Sequence, residues 1–94
     1  MQVKWSRKAL RNLDDAVEYI AADNPATAAE VAQRIWTCAQ QLADQPGMGR
    51  PGRVAGTREL VISGLPYILP YVKEGSAVII LRVMHASMKW PGKF

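Results

Sequence analysis

Leu10, Leu13, Val17 and Ile20 recur at spacings of three, four and three, which stacks them on one face of an α-helix. Asp14, Asp15 and Glu18 fall mostly off that face. Ser6 stands where a hydroxyl can cap an unpaired amide of the first helical turn. The helix is expected to end near Asp23, because the residue before a proline, here Asn24 before Pro25, is pushed out of α geometry. Pro25 then suits the first turn of a second helix with Asn24 as its cap. Ala28, Val31, Ile35, Cys38 and Leu42 carry the helical spacing onward, so this helix is predicted to reach Gln45 and stop before Pro46-Gly47. Two amphipathic helices joined by a tight turn form an antiparallel hairpin. Ala28, Ala29, Ala32 and Ala39 let its arms approach closely.

The period changes on either side of this hairpin. Val3 to Trp5 reads as a short opening strand. The segment from Pro46 to Gly56 is rich in glycine and proline and is predicted to be a loop. Three strand-like runs follow: Arg58 to Ile62, closed by Ser63-Gly64; Tyr67 to Lys73; and Ala77 to His85, dense in β-branched residues. Glu74-Gly75-Ser76 makes the hairpin turn between the last two. Proline has no amide to give to a ladder, so Pro70 places the middle run at a sheet edge or at a bulge. The predicted order is β-α-α-β-β-β. A helical hairpin packed on an antiparallel sheet is an α+β fold, and residues 1–94 are read as one such domain.

Composition narrows the class without choosing a function. Cys38 is the only cysteine, which leaves neither a disulfide framework nor a cysteine-based zinc site. The basic start of the chain is not followed by an apolar run of signal-peptide length, and no stretch approaches the roughly 18 apolar residues of a membrane span. A cytoplasmic protein with no membrane partner is expected. Gly47, Gly49 and Gly52 lack the lysine and hydroxyl spacing of a phosphate-binding loop. No serine triad and no metal-ligand spacing can be assembled, so neither a cofactor nor a metal is expected.

The net charge is +4, unevenly placed. Residues 1–45 carry Lys4, Arg7, Lys8, Arg11 and Arg34 against six carboxylates. Residues 46–94 carry Arg50, Arg53, Arg58, Lys73, Arg82, Lys89 and Lys93 against only Glu59 and Glu74. A one-sided basic surface attracts acidic partners, either nucleic acid or an acidic peptide.

Five stretches, in order, resemble the RelE/ParE superfamily of toxins: Trp5-Ser-Arg-Lys-Ala-Leu10, Gln45-Pro-Gly-Met-Gly-Arg-Pro51, Gly56-Thr-Arg-Glu-Leu60, Pro66-Tyr-Ile-Leu-Pro-Tyr71 and Leu81-Arg-Val-Met-His85. The resemblance spans nearly the whole chain. It implies the toxin half of a type II toxin–antitoxin pair, held in a hetero-oligomer by a cognate antitoxin. ParE-type members bind DNA gyrase and stall it; RelE-type members cut messenger RNA on the ribosome. The long helical arms, the loop Pro46-Gly-Met-Gly-Arg-Pro51 and the ending Arg82 to Met88 lean toward ParE and plasmid stabilisation. The mRNA-interferase activity of RelE is the alternative.

Metal-free cleavage of RNA through its own 2′-hydroxyl needs a base, cations for the phosphorane, and an acid for the leaving oxygen. If the chain is a nuclease, His85, Arg82 and Arg58 are the catalytic candidates. No lysine lies on the strand from Arg58 to Ile62 or in the loop before it, and no tyrosine ends the chain. The set is therefore incomplete, which ranks the nuclease second. Partner binding is assigned to Arg50, Arg53, Arg82, Lys89 and Trp90. Each has a plainer reading. His85 ends a strand where it can simply bond a carbonyl; Arg82 can extend its head group to water. Arg50 and Arg53 sit in a loop where solvation alone suffices, and Arg58 beside Glu59 can be half of a surface ion pair. Trp5 is expected to pack at the start of the sheet. Trp36 either bridges to the sheet or stays exposed, and Trp90 either staples the tail or waits for a partner.

Overall fold

Ser6 caps the first helix as its position suggests. In the computed structural model, which describes residues 1–94, its Oγ accepts a hydrogen bond from the Ala9 amide at 3.0 Å. Helix α1 runs Arg7–Ala21. Ala9 is its one fully buried residue, and Leu13 and Ile20 pack against the core. Leu10 is 45% exposed, a correction to the expected stripe: the small Ala9 faces inward and lets α2 come close. Asn24 Oδ1 caps helix α2, Pro25–Gln40, through the Thr27 amide at 3.1 Å. The helix then tightens into a 3₁₀ turn at Gln41–Ala43, short of the expected end at Gln45. Leu42 keeps its place in the core through that tightened turn.

Six strands form one sheet: β1 Gln2–Trp5, β2 Arg50–Pro51, β3 Arg58–Val61, β4 Tyr67–Glu74, β5 Ala77–Ile80 and β6 Met84–His85. Their order is β1-β5-β4-β3-β2, with β6 pairing to β4 beyond the end of β5. β1 runs parallel to β5; every other pairing is antiparallel. Gly75 turns the β4–β5 hairpin at φ 59°, a conformation glycine adopts without steric cost. One sheet face, carrying Leu60, Leu69, Tyr71, Val78 and Ile80, closes the core with Ala9, Val31, Ile35, Ala39 and Leu42 from the helical side.

Two expectations need correction. The segment from Pro46 to Gly56 is not all loop, since Arg50 and Pro51 pair with Glu59 and Arg58. The run from Ala77 to His85 is not one strand. Tyr71 pairs with Ile80 and Ile68 with Met84, so the two residues Leu69 and Pro70 face the three residues Leu81, Arg82 and Val83. One extra residue against a paired strand is a β-bulge. Pro70 is buried and flanked by Glu59 of β3, which rules out the sheet edge. Its carbonyl accepts from the Leu81 amide at 2.8 Å. The amide it lacks would point to the same side, and the bulge removes the need for it.

The bulge hands its free backbone groups to α1. The Leu81 carbonyl accepts from Ser6 Oγ at 2.9 Å and from Arg82 Nη1 at 2.8 Å. The Val83 amide donates to Asn12 Oδ1 at 3.2 Å. The start of α1 and the end of the sheet are thereby clipped together.

Candidate functional site

Glu59 is the organising residue of the basic half. Adjacent residues of a strand point to opposite faces, so beside the core residue Leu60 it lies on the sheet face turned away from the helices. It is 1% exposed. Arg50 grips it from the paired strand β2, with Nε at 3.0 Å and Nη2 at 2.9 Å from Oε1. The Arg53 backbone amide donates to Oε2 at 2.7 Å, and Arg53 Nε stands 3.6 Å from Oε1. A buried carboxylate is tolerated only when its oxygens are bonded in this way. Arg50 and Arg53 are therefore not free loop cations. Glu59 pairs with them and not with its neighbour Arg58, which corrects the surface-pair reading.

Arg58 turns to the opposite face and donates Nη1 to the Gly49 carbonyl at 2.8 Å and to that of Gly47 at 3.4 Å. Tyr71, fully buried, holds the same loop: its hydroxyl donates to the Pro46 carbonyl at 2.8 Å and accepts from the Gly49 amide at 2.9 Å. A Cβ on Gly49 would lie 2.6 Å from that hydroxyl, so glycine is required for the close approach. Tyr71→Phe should lower the unfolding free energy by about 1–3 kcal/mol, because the Gly49 amide would be left buried without an acceptor. Urea denaturation would show this as a lower midpoint at unchanged slope.

His85 lies elsewhere. It pairs with Tyr67 at one end of β4, whereas Arg58 pairs with Tyr71. Four residues of strand separate those positions, about 13 Å, and β6 and β3 flank opposite edges of β4. The His85 ring stands edge-on to Tyr67 at 5.5 Å. Its Nδ1 accepts from the Ser87 amide at 3.2 Å and lies 2.7 Å from Ser87 Oγ, which leaves Nε2 to carry the proton of the neutral ring. A groove of about 250 Å³ runs beside it, lined by Asn12, Asp15, Tyr19, Tyr67, His85 and Met88. Arg82 stays on the bulge, with its guanidinium 5.2 Å from the Phe94 ring. The three nuclease candidates do not converge on one point.

The partner-binding candidates are partly brought together. The Arg53 guanidinium lies 4.0 Å from the centre of the Trp90 ring, a cation–π contact that fastens the tail to the basic loop, and Trp90 meets Phe94 edge-on at 6.3 Å. Arg50 joins them through Glu59. Lys89 is exposed, and Arg82, rooted on the bulge, reaches the same cluster through the Phe94 ring. Trp5 and Trp36 stack at 5.6 Å with 10° between their planes, so Trp36 bridges to the sheet while remaining 43% exposed. Sequence reasoning missed Glu59, Ser6 and Asn12 as the groups that hold this surface. The one available signal for Glu59 was a lone acid beside Leu60 with two arginines shortly before it.

A helical hairpin laid on one face of a mixed sheet, with a carboxylate-anchored basic loop on the other, defines a small α+β protein of the RelE/ParE superfamily. Residues 3–90 match the family described as ParE toxin of type II toxin-antitoxin system, parDE, and the chain belongs to that family. It is 48% identical over 90 residues to Y4kP of Sinorhizobium fredii, named as a toxin, covering 96% of this chain and 93% of that one. It is 37% identical over 86 residues to toxin RelE2 of Caulobacter vibrioides, covering 92% and 96%. Among solved structures it is similar to a chain of the chromosomal ParDE TA system from P. aeruginosa. That match has a TM-score of 0.81 and 32% identity over 90% of this chain and 95% of that one. The protein is thus a ParE-like toxin of a type II toxin–antitoxin system. No helix is long and apolar enough to cross a membrane.

Proposed function

We propose that this toxin is a ParE-type inhibitor of DNA gyrase that works by surface contact, and that a cognate antitoxin neutralises it. The separation of His85, Arg58 and Arg82 carries this reading. In-line attack on an RNA phosphate requires acid, base and charge-stabilising groups within hydrogen-bond reach of one reacting centre. Here Arg58 serves backbone carbonyls, Arg82 serves the bulge, and His85 stands at the far end of β4. The exposed remainder of the basic half suits an acidic partner segment, and an antitoxin whose acidic, amphipathic C-terminal part folds on this protein fits that charge.

Mixing the purified toxin with gyrase and plasmid should trap cleaved DNA while leaving ribosome-bound message intact. His85→Gln should keep that activity within about twofold, whereas a nuclease using His85 as acid or base would lose about 10²–10⁴-fold. Codon-periodic cuts in message, abolished by His85→Gln, would replace this reading with a RelE-like endoribonuclease. Coexpression with the adjacent antitoxin should abolish toxicity, and an adjacent product that neither binds nor neutralises would refute that half of the proposal.

A further inference from the structure

Helix α1 carries its charges the wrong way round for its own stability. Arg7, Lys8 and Arg11 crowd its first turns and Asp14, Asp15 and Glu18 follow, with no acidic residue in the first turn. A helix N-terminus behaves as a partial positive charge and favours carboxylates there. Pairs with the base preceding the acid, such as Arg11 and Asp15, also have the weaker orientation. The fold adds a fourth cation. Arg82 Nη1 and the Ser6 cap hydroxyl share the Leu81 carbonyl as acceptor, at 2.8 and 2.9 Å, so the Arg82 guanidinium sits at the capped end of α1. None of the four meets a carboxylate, for both ion pairs of the chain belong to Glu59. The linear sequence conceals this patch, because residues 1–45 balance to a net negative charge.

From this juxtaposition we infer that Arg7, Lys8, Arg11 and Arg82, gathered at the N-terminus of α1, form a sequence-independent contact surface for the phosphate backbone of duplex DNA. Phosphate oxygens are met by arginine, lysine and helix N-termini together. An acidic amphipathic peptide suits the patch poorly, since half-exposed Leu10 is the only large apolar side chain that these turns of α1 expose. Arg7, Lys8 and Arg11 are all exposed and line no cavity, which suits contact along a backbone and not enclosure of a small anion. This surface goes beyond the gyrase reading and is tested without gyrase, so either can fail alone.

The test is fluorescence anisotropy of the purified toxin with a labelled duplex of arbitrary sequence across a salt series. Four phosphate contacts predict that the logarithm of the binding constant falls against the logarithm of salt with a slope of about −3 to −4. Lys8→Gln with Arg11→Gln should flatten that slope by about 2 and weaken binding on the order of 10- to 100-fold near 0.1 M salt. Arg34→Gln with Lys73→Gln removes the same charge elsewhere and should leave the slope unchanged. No duplex binding at low salt, equal losses from the two pairs, or tighter binding to single-stranded RNA of the same length would each overturn the assignment. Circular dichroism on both variants separates lost binding from lost fold.

Discussion

Arg50→Ala should lower the unfolding free energy by about 2–3 kcal/mol, one of the largest effects expected of any side chain outside the core. The cost does not come from Arg50 itself, whose side chain is 51% exposed. It comes from Glu59, which is buried and would keep only the Arg53 contacts. Removing one partner of a buried pair typically costs about 3–5 kcal/mol, and solvent near the outer arginine reduces that figure. Equilibrium denaturation would read the loss directly. The contrast is Glu59→Leu: with the buried carboxylate gone, both arginine side chains can turn to water, an apolar side chain suits the site, and the part-buried Arg53 amide is the one group left without its acceptor. That variant should fall short of the Arg50→Ala penalty. Glu59→Leu costing more than Arg50→Ala would mean that the ion pair itself, not the avoidance of a stranded charge, holds the loop.

Ser6→Ala should cost about 2–3 kcal/mol, combining the usual N-cap loss of about 1 kcal/mol with a partly buried bond to the Leu81 carbonyl. For a domain of this size that is a fall of roughly 10–20 °C in melting temperature. A cap in an isolated helix would cost only the first part. The excess over a simple cap measures how firmly α1 grips the bulge. Asn12→Ala should reproduce the second part alone, through the Val83 amide. Additive losses in the double variant would show two independent contacts, whereas a smaller combined loss would show that they act as one clip.

The helices and most strands were legible because their patterns are local. Leu13 and Ile20, or Ala28, Val31 and Ile35, repeat at a spacing that only one local geometry can use. The bulge was half legible. Pro70 announced an irregularity, but which strand absorbed it depended on where Ser6 and Asn12 would lie, about seventy residues away in sequence. The same distance hid the site. Glu59 reads as a surface charge until β2 is known to pair with β3, and Arg82 reads as a lone cation until Ser6 is found beside it. Leu10 misled because Ala9, the smaller neighbour, was the better residue to face a close-packed second helix.

The parallel pairing of β1 with β5 sets a clock on this protein. Gln2 lies beside Ala77, and Ser6 reaches Leu81, so the first strand has no neighbour until residues 77–81 have been made. At about 5–20 residues per second, reaching Leu81 takes several seconds, and through that time the opening strand and the capped end of α1 lack their counterparts. The native basic surface assembles only once Arg82 and Trp90 have been made. A nascent toxin is therefore an unfinished one until residues 77–90 have joined the first strand and the basic loop.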